Sequence, residues 1–277
     1  GSDYTASIFG VALQAENIEI WTDTDGIMTC DPKFIKNVQI VNEISYKQLF
    51  QLSYYGAKII YYKTIYPLFN NNIPLYIKNT YNPNSNGTLV SNSNINSKHD
   101  IKAISYIKNV ALIKISGNSM YNEVGFSARL FSTLSKNNIN IISILQSSSQ
   151  FSINFCINDC NIVKAIKCLE KEFQVEINNK LLNLNYHLNK SILTVVHSNK
   201  KLKNQILKNL INLIHENNVD IDIYNLLDLN TCVVLDTDIL KKTVKLFHNY
   251  YFNHTNDNKN VFILGFGNIG KYLYNLL

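Results

Sequence analysis

Between residues 110 and 247 the sequence alternates short β-favouring runs with amphipathic helical stretches, in an order that recurs. Residues 110–116 predict a strand and 117–125 a polar loop, and Phe126, Leu130, Phe131 and Leu134 share one face of the next helix. Residues 139–145 and 151–157 read as hairpin strands about a turn at 146–149. Ile162, Val163, Ile166, Leu169 and Phe173 then line a second helix. This is a β-α-β-β-α-β unit, the ferredoxin-like arrangement. It returns with a strand at 192–196, a helix over 202–215 turning Ile206, Leu210 and Ile214 inward, strands at 219–223 and 232–235, and a helix over 238–247.

Upstream the pattern differs. Residues 17–21 form a short apolar strand that ends on Thr22 and Asp23, followed by the turn signal Asp25-Gly26. In an open α/β sheet ligands bind beyond the carboxyl ends of strands, where these residues fall. A second polar cluster, Thr29-Cys30-Asp31-Pro32-Lys33, is placed to swing a cation over the same crevice, although Asp-Gly and Asp-Pro also serve as ordinary turns. The opening Gly1-Ser2-Asp3 feeds a helix start, which suits an anionic ligand or a plain Ser/Asp cap. Ser45 and Gln48 fit a capping box, residues 73–77 a strand, and residues 79–90 an irregular tail. Residues 91–97 are almost entirely Asn and Ser, which places a linker and a domain boundary near 92–100. At the far end an apolar strand runs into Gly265-Phe-Gly267-Asn-Ile-Gly270, a GxGxxG whose glycines would let the backbone approach a pyrophosphate.

Composition narrows the classes. A net charge of +6 carried almost wholly by Lys, with Arg129 the single arginine, argues against nucleic-acid reading, which leans on the arginine fork. No apolar run approaches the roughly 20 residues of a membrane span, so no membrane partner is expected. Five cysteines without a CxxC pair read as reduced thiols of a cytoplasmic protein, and six scattered histidines suggest no metal ligands.

Taken together these residues resemble the bifunctional aspartate kinase/homoserine dehydrogenase family. The resemblance is carried by Gly1-Ser-Asp-Tyr-Thr-Ala6, Trp21-Thr-Asp-Thr-Asp-Gly26, Asp31-Pro-Lys33 and Ser53-Tyr-Tyr-Gly-Ala-Lys58. Ile77-Lys-Asn-Thr80, Gly87-Thr-Leu-Val90, Gln146-Ser-Ser-Ser-Gln-Phe-Ser-Ile153 and the final glycine motif extend it. It implies an α/β chain: a partial amino-acid-kinase α/β/α sandwich (1–92), two ferredoxin-like ACT domains (100–182 and 190–252) and the start of an NAD(P)-binding Rossmann domain (258–277).

By that resemblance the γ-phosphoryl of ATP, with Mg2+, passes to the β-carboxylate of L-aspartate, in the pathway to the aspartate-family amino acids. Ser2 and Asp3 would border the aspartate pocket, Asp3 as a catalytic residue. Thr22 and Asp23 would hold the nucleoside, Lys33 would meet phosphate where the family has Arg, and Lys58 would sit over the nucleotide. Gln146, Asn118 and Ser119 would bind a threonine effector, while Tyr224 and Asn225 occupy the matching region of the second unit without a glutamine. Gly265, Gly267 and Gly270 would take NADP or NAD, and the ACT domains would join copies into a homo-oligomer. The family's Lys-Phe-Gly-Gly-Thr-Ser segment has no counterpart in these 277 residues, so this chain alone is expected to be inactive. A non-catalytic amino-acid-sensing module is the alternative.

Overall fold

The computed structural model describes residues 2–92, 100–120, 123–146 and 151–253. Most of the predicted linker and the whole 258–277 segment, with Gly265, Gly267 and Gly270, lie outside the described residues. No helix among the described residues is long and apolar enough to cross a membrane.

The first part is a small α/β layer. It runs α1 (Ser2–Ala12), β1 (Ile18–Thr22), β2 (Glu43–Ser45), α2 (Tyr46–Tyr54), a 3-10 turn (Tyr62–Thr64), α3 (Ile65–Asn70), β3 (Leu75–Asn79) and β4 (Thr88–Ser91). The sheet order is β1-β3-β4-β2, with β1 parallel to β3 and β2 parallel to β4. The expected tail at 79–90 therefore ends in a strand, because Val90 is fully buried against Ile44, Leu75 and Ile77. The capping box forms as predicted: the Ser45 N–H donates to Gln48 Oε1 (2.9 Å) and the Gln48 N–H to Ser45 Oγ (3.3 Å).

The second part is one six-stranded antiparallel sheet. Its elements are β5 (Ile101–Ser116), a 3-10 turn (Asn118–Met120), α4 (Phe126–Lys136), β6 (Ile141–Gln146), β7 (Ser152–Asn158), α5 (Ile162–Glu172) and α6 (Gln174–Asn178), then β8 (Asn183–His197), α7 (Lys203–Glu216), β9 (Ile223–Leu226), β10 (Asn230–Asp236) and α8 (Thr237–His248). The order is β6-β7-β5-β8-β10-β9. Both central strands are more than twice as long as the sequence suggests and serve two units each. The latter half of β5 and the first half of β8 complete the first ferredoxin-like unit. The latter half of β8 opens the second unit, whose fourth strand is Ile101–Ile107, paired with Ile192–His197. Against the consecutive division 100–182 and 190–252, the first unit is thus nested inside the second. The physical reason is that α8 runs into a π-helical turn (Asn249–Asn253) rather than a strand, which leaves the fourth slot to β5. Asn109 and Asn189, both at positive φ (59° and 57°), mark where the two strands change allegiance, at the register shifts of the pair.

Helices cover one face of each half. Ala111, Ile113, Phe155, Leu130 and Leu169 make the first core, and Leu193, Val195, Ile206, Leu240 and Phe247 the second. Two assignments need correction, one of facing and one of strand bounds. Val163 is 79% exposed, one position off the buried stripe of Ile162, Ala165 and Leu169. The strand expected at 219–223 begins only at Ile223, Val219 instead being buried beneath α7.

On the opposite face the sheet curls until β6 and β9, its two edges, touch. The enclosed space is filled by Val110, Leu112, Cys156, Ile192, Cys232 and Val234, and by Tyr55 from the end of α2. At one rim Lys190 Nζ pairs with Asp222 (2.6 Å) and Asp236 (2.7 Å). Tyr55 is the plug that joins the two parts, so Tyr55→Ala should cost about 3 kcal/mol by urea unfolding, as large aromatic truncations in cores do. Tyr55→Phe, which keeps the ring, should cost less than half of that.

Candidate functional site

The carboxyl ends of the parallel pair β1 and β3 carry one polar cluster. In it the Thr22 hydroxyl donates to Asp23 Oδ1 (3.2 Å), and the Thr80 N–H donates to Thr22 O (2.9 Å). Asp25, one of the expected turn residues, accepts from the side-chain amides of Asn79 (2.7 Å) and Asn82 (3.1 Å), so the loops after β1 and β3 are tied together. Gly26 sits at φ +132°, where a Cβ would lie 2.6 Å from Thr88 Oγ1, and that hydroxyl accepts the Ile27 N–H (2.8 Å). The Gly87-Thr-Leu-Val90 motif thus packs against the turn after β1.

The other predicted kinase-site residues, Ser2, Asp3, Lys33 and Lys58, stand on other elements. Asp3 lies in the first turn of α1. Its carbonyl and that of Thr64 both lie within hydrogen-bonding distance of the Ser7 hydroxyl (3.1 and 3.0 Å), and the Ser2 hydroxyl donates to the Asp3 carboxylate (3.2 Å). Lys58 is exposed on the loop between α2 and the 3-10 turn. Among the described residues neither Asp3, Asp23, Lys33 nor Lys58 forms an ion pair, so the structure does not lock these four charges onto one another.

Lys33 projects from a loop folded toward the second ferredoxin-like unit. Cys30 and Ile35 are buried in that unit's core, the Ile104 N–H donates to Thr29 O (2.8 Å), and Thr29 Oγ1 shares a hydrogen bond with His248 Nε2 (2.9 Å). Burial holds the His248 imidazole down, to about 4, and does the same to His197, whose carbonyl accepts from the Gln48 side chain (2.9 Å).

The Ser53-to-Lys58 motif also reaches the regulatory sheet. The Tyr54 hydroxyl donates to Ile142 O (3.1 Å) and Tyr55 enters the curled core. At Gly56 (φ +97°) a Cβ would lie 2.1 Å from Tyr106 O. Sequence reasoning gave this motif to the nucleotide through Lys58 and missed its interdomain contacts. The run of small and aromatic residues was the available signal, but only the fold shows what it packs against.

A second feature lies beside the loop that carries two of the predicted effector residues, Asn118 and Ser119. A cavity of about 170 Å³ opens between the loop after β5 and the start of α4, lined among others by Met120, Glu123, Gly125, Phe126, Ser127 and Ile153. Gly125, at φ +88°, caps α4 without a side-chain partner, so the first-turn N–H groups lie at the cavity wall. Of the predicted residues, Gln146 pairs in the β6–β7 register with Ile153, a lining residue. Asn118 is exposed, and the Ser119 hydroxyl is spent on Leu181 O (3.1 Å), so Met120, Glu123 and Ser127, which the sequence reading missed, form the wall instead. Among the described residues no three His, Cys, Asp or Glu side chains converge as a metal site.

A small α/β layer joined to a paired ferredoxin-like sheet is the fold of an amino acid kinase segment with ACT domains, as the comparisons with known proteins show. Residues 1–79 match the amino acid kinase family and residues 113–173 the ACT domain. Over 99% of its length the chain is 35% identical to the bifunctional aspartokinase/homoserine dehydrogenase of Buchnera aphidicola and 34% identical to that of Haemophilus influenzae, so its homologues along the chain are enzymes of that kind. It spans about a third of the length of these relatives (34% of each). Among solved structures, Clostridium acetobutylicum aspartate kinase superposes with a TM-score of 0.81 at 27% identity, covering 91% of this chain and 58% of that one. Escherichia coli aspartokinase III, solved with aspartate and ADP, shares the fold at a TM-score of 0.75 and 21% identity, over 90% of this chain and 55% of its own.

Two outcomes follow from the interdomain contacts. His197 and His248 stay neutral when folded but protonate near 6.5 when unfolded, so the unfolded state binds more protons between about 6.5 and 4. Their contribution to stability is complete above pH 6.5 and falls by about 1.4 kcal/mol per pH unit per histidine down to about pH 4. Urea midpoints measured from pH 7 to 4 should fall less steeply in His248→Gln than in the wild type. Gly56→Ala should lose at least about 2 kcal/mol in the same assay, because it combines a left-handed φ with a backbone clash.

Proposed function

We propose that the chain is the nucleotide-side portion of an aspartokinase together with its ACT regulator, from a bifunctional aspartokinase/homoserine dehydrogenase. The reaction moves the γ-phosphoryl of ATP to the β-carboxylate of L-aspartate. Such transfer depends on positioning and charge neutralisation more than on covalent help from the protein. The polar cluster after β1 and β3 supports this reading most directly, since it gathers Thr22, Asp23 and the Asp25–Asn79–Asn82 bracket at parallel strand ends. In this reading Thr22 and Asp23 orient the nucleoside, and Lys33 and Lys58 supply mobile positive charge for the phosphates. Ser2 and Asp3 border the aspartate. A magnesium ion, where one acts, arrives with the phosphates and needs only one or two carboxylates from the chain, which the exposed Asp23 can provide.

The regulatory half is read as an amino-acid sensor. The cavity beside α4 is below the usual 300–1,000 Å³ of drug-sized pockets and suits a small amino acid, its carboxylate on the helix N-terminus. Threonine is the proposed effector and Gln146, whose backbone pairs with that of the lining residue Ile153, its proposed contact; the ACT sheets are the proposed route to a homo-oligomer. NADP or NAD belongs to the dehydrogenase part, through Gly265, Gly267 and Gly270. The cytoplasm is the proposed compartment.

Titration calorimetry of the 277-residue chain with L-threonine should give measurable heats that Gln146→Ala reduces at least threefold; equal heats for both proteins would refute the sensor reading. The same chain alone should release no ADP in an aspartate-dependent manner, as followed by a coupled assay.

A further inference from the structure

We propose that Tyr106, a residue of the regulatory sheet, is a positioning residue for Lys33, acting through the carboxylate of Asp31. The proposal rests on the reading of Lys33 as a phosphate contact. Asp31 uses its two oxygens in different directions. Oδ1 accepts the backbone N–H of Lys33 (2.9 Å), and Oδ2 accepts the hydroxyl of Tyr106 (2.7 Å). One carboxylate therefore fixes the main chain at Lys33 to a strand that belongs to the other half of the molecule. Pro32, between them, adds a fixed φ.

The surrounding contacts make this a clamp rather than a touch. The rings of Phe34 and Tyr106 lie 4.4 Å apart between centroids, and Lys108 Nζ covers both at 4.8 and 5.7 Å. The main-chain bond from Ile104 to Thr29 holds the loop one turn earlier, and the buried Cys30 and Ile35 anchor it on either side of Lys33. What remains outside is the Lys33 side chain, exposed and without an ion pair among the described residues. A cation held at its root and free at its tip has the geometry of a pre-positioned ligand for anionic oxygen. Tyr106 also shares β5 with Ser116, which leads into the loop beside the cavity at α4.

The test uses the isotopically labelled 277-residue chain, with amide exchange and magnesium-ADP titration read by NMR. Tyr106→Phe keeps the ring contacts and removes only the hydroxyl. It should speed exchange of the Lys33 amide about tenfold while leaving the Ile104 amide unchanged, and weaken magnesium-ADP several-fold. Lys33→Gln should weaken magnesium-ADP to a similar degree without altering exchange of the Ile104 amide. Unchanged Lys33 exchange and unchanged ADP affinity in Tyr106→Phe would overturn the proposal, as would unchanged affinity in Lys33→Gln. If ADP moves no amide of Thr22, Asp23 or the 29–35 loop in the wild type, the nucleotide reading itself fails and the role of Tyr106 falls with it. The exchange measurement, made without nucleotide, tells these two failures apart.

Discussion

The antiparallel pairing of β5 with β8 is the constraint on which the regulatory half is built. Each strand is long enough to serve two units, and each changes partner layers at an asparagine in the left-handed region. Because side chains alternate along a strand, the pairing register decides which residues meet the helices and which fill the curled interior. Ala111 and Ile113 go to the helices, Val110 and Leu112 to the interior, and Leu193 and Ile192 divide in the same way. A slip of one residue would exchange those faces in both units at once.

The α/β part is fastened to this sheet through α2. Gln48 uses its amide oxygen to cap its own helix and its amide nitrogen to hold the carbonyls of His197 (2.9 Å) and Ser198 (3.0 Å). Asn230 donates to Gln51, Tyr54 reaches β6 and Tyr55 fills the curled core. Lys102, buried by the same contact, gives its ammonium to Glu43 O (2.9 Å), while burial pulls its pKa down. These contacts join the α/β layer, with its polar strand ends, to a sheet that carries a small cavity beside α4.

Much of this was legible in the sequence, for a physical reason. Helix stripes such as Phe126, Leu130 and Leu134 announce themselves by period, and all three are buried. The Ser45–Gln48 box announces itself by chemistry. The first half of β5 did not, because Lys102 and Ser105 interrupt its apolar run. Both are buried, Lys102 satisfied by a carbonyl 59 residues upstream, which no local pattern encodes. The first half of β8 is rich in asparagine, which lowers strand propensity, and only pairing with β5 recruits it. At the candidate site, resemblance pointed to Thr22, Asp23 and Lys33, but the Asp31–Tyr106 bond joins residues that sequence reading assigns to different domains.

The nested order of the two units bears on synthesis. As the chain leaves the ribosome, Ile101–Ile107 emerges long before its partner Ile192–His197, with the whole inner unit made in between. Closing so long a span is slow relative to local contacts, so the inner unit has every pairing it needs first. Until β8 is finished, Ile101, Ala103 and Ile104 lie uncovered beside a kinase layer whose own anchor, the His197 carbonyl, has not yet been translated. Residues 190–197 therefore govern when the α/β layer becomes a finished surface, and a nascent chain stalled before residue 190 leaves that surface open to a chaperone.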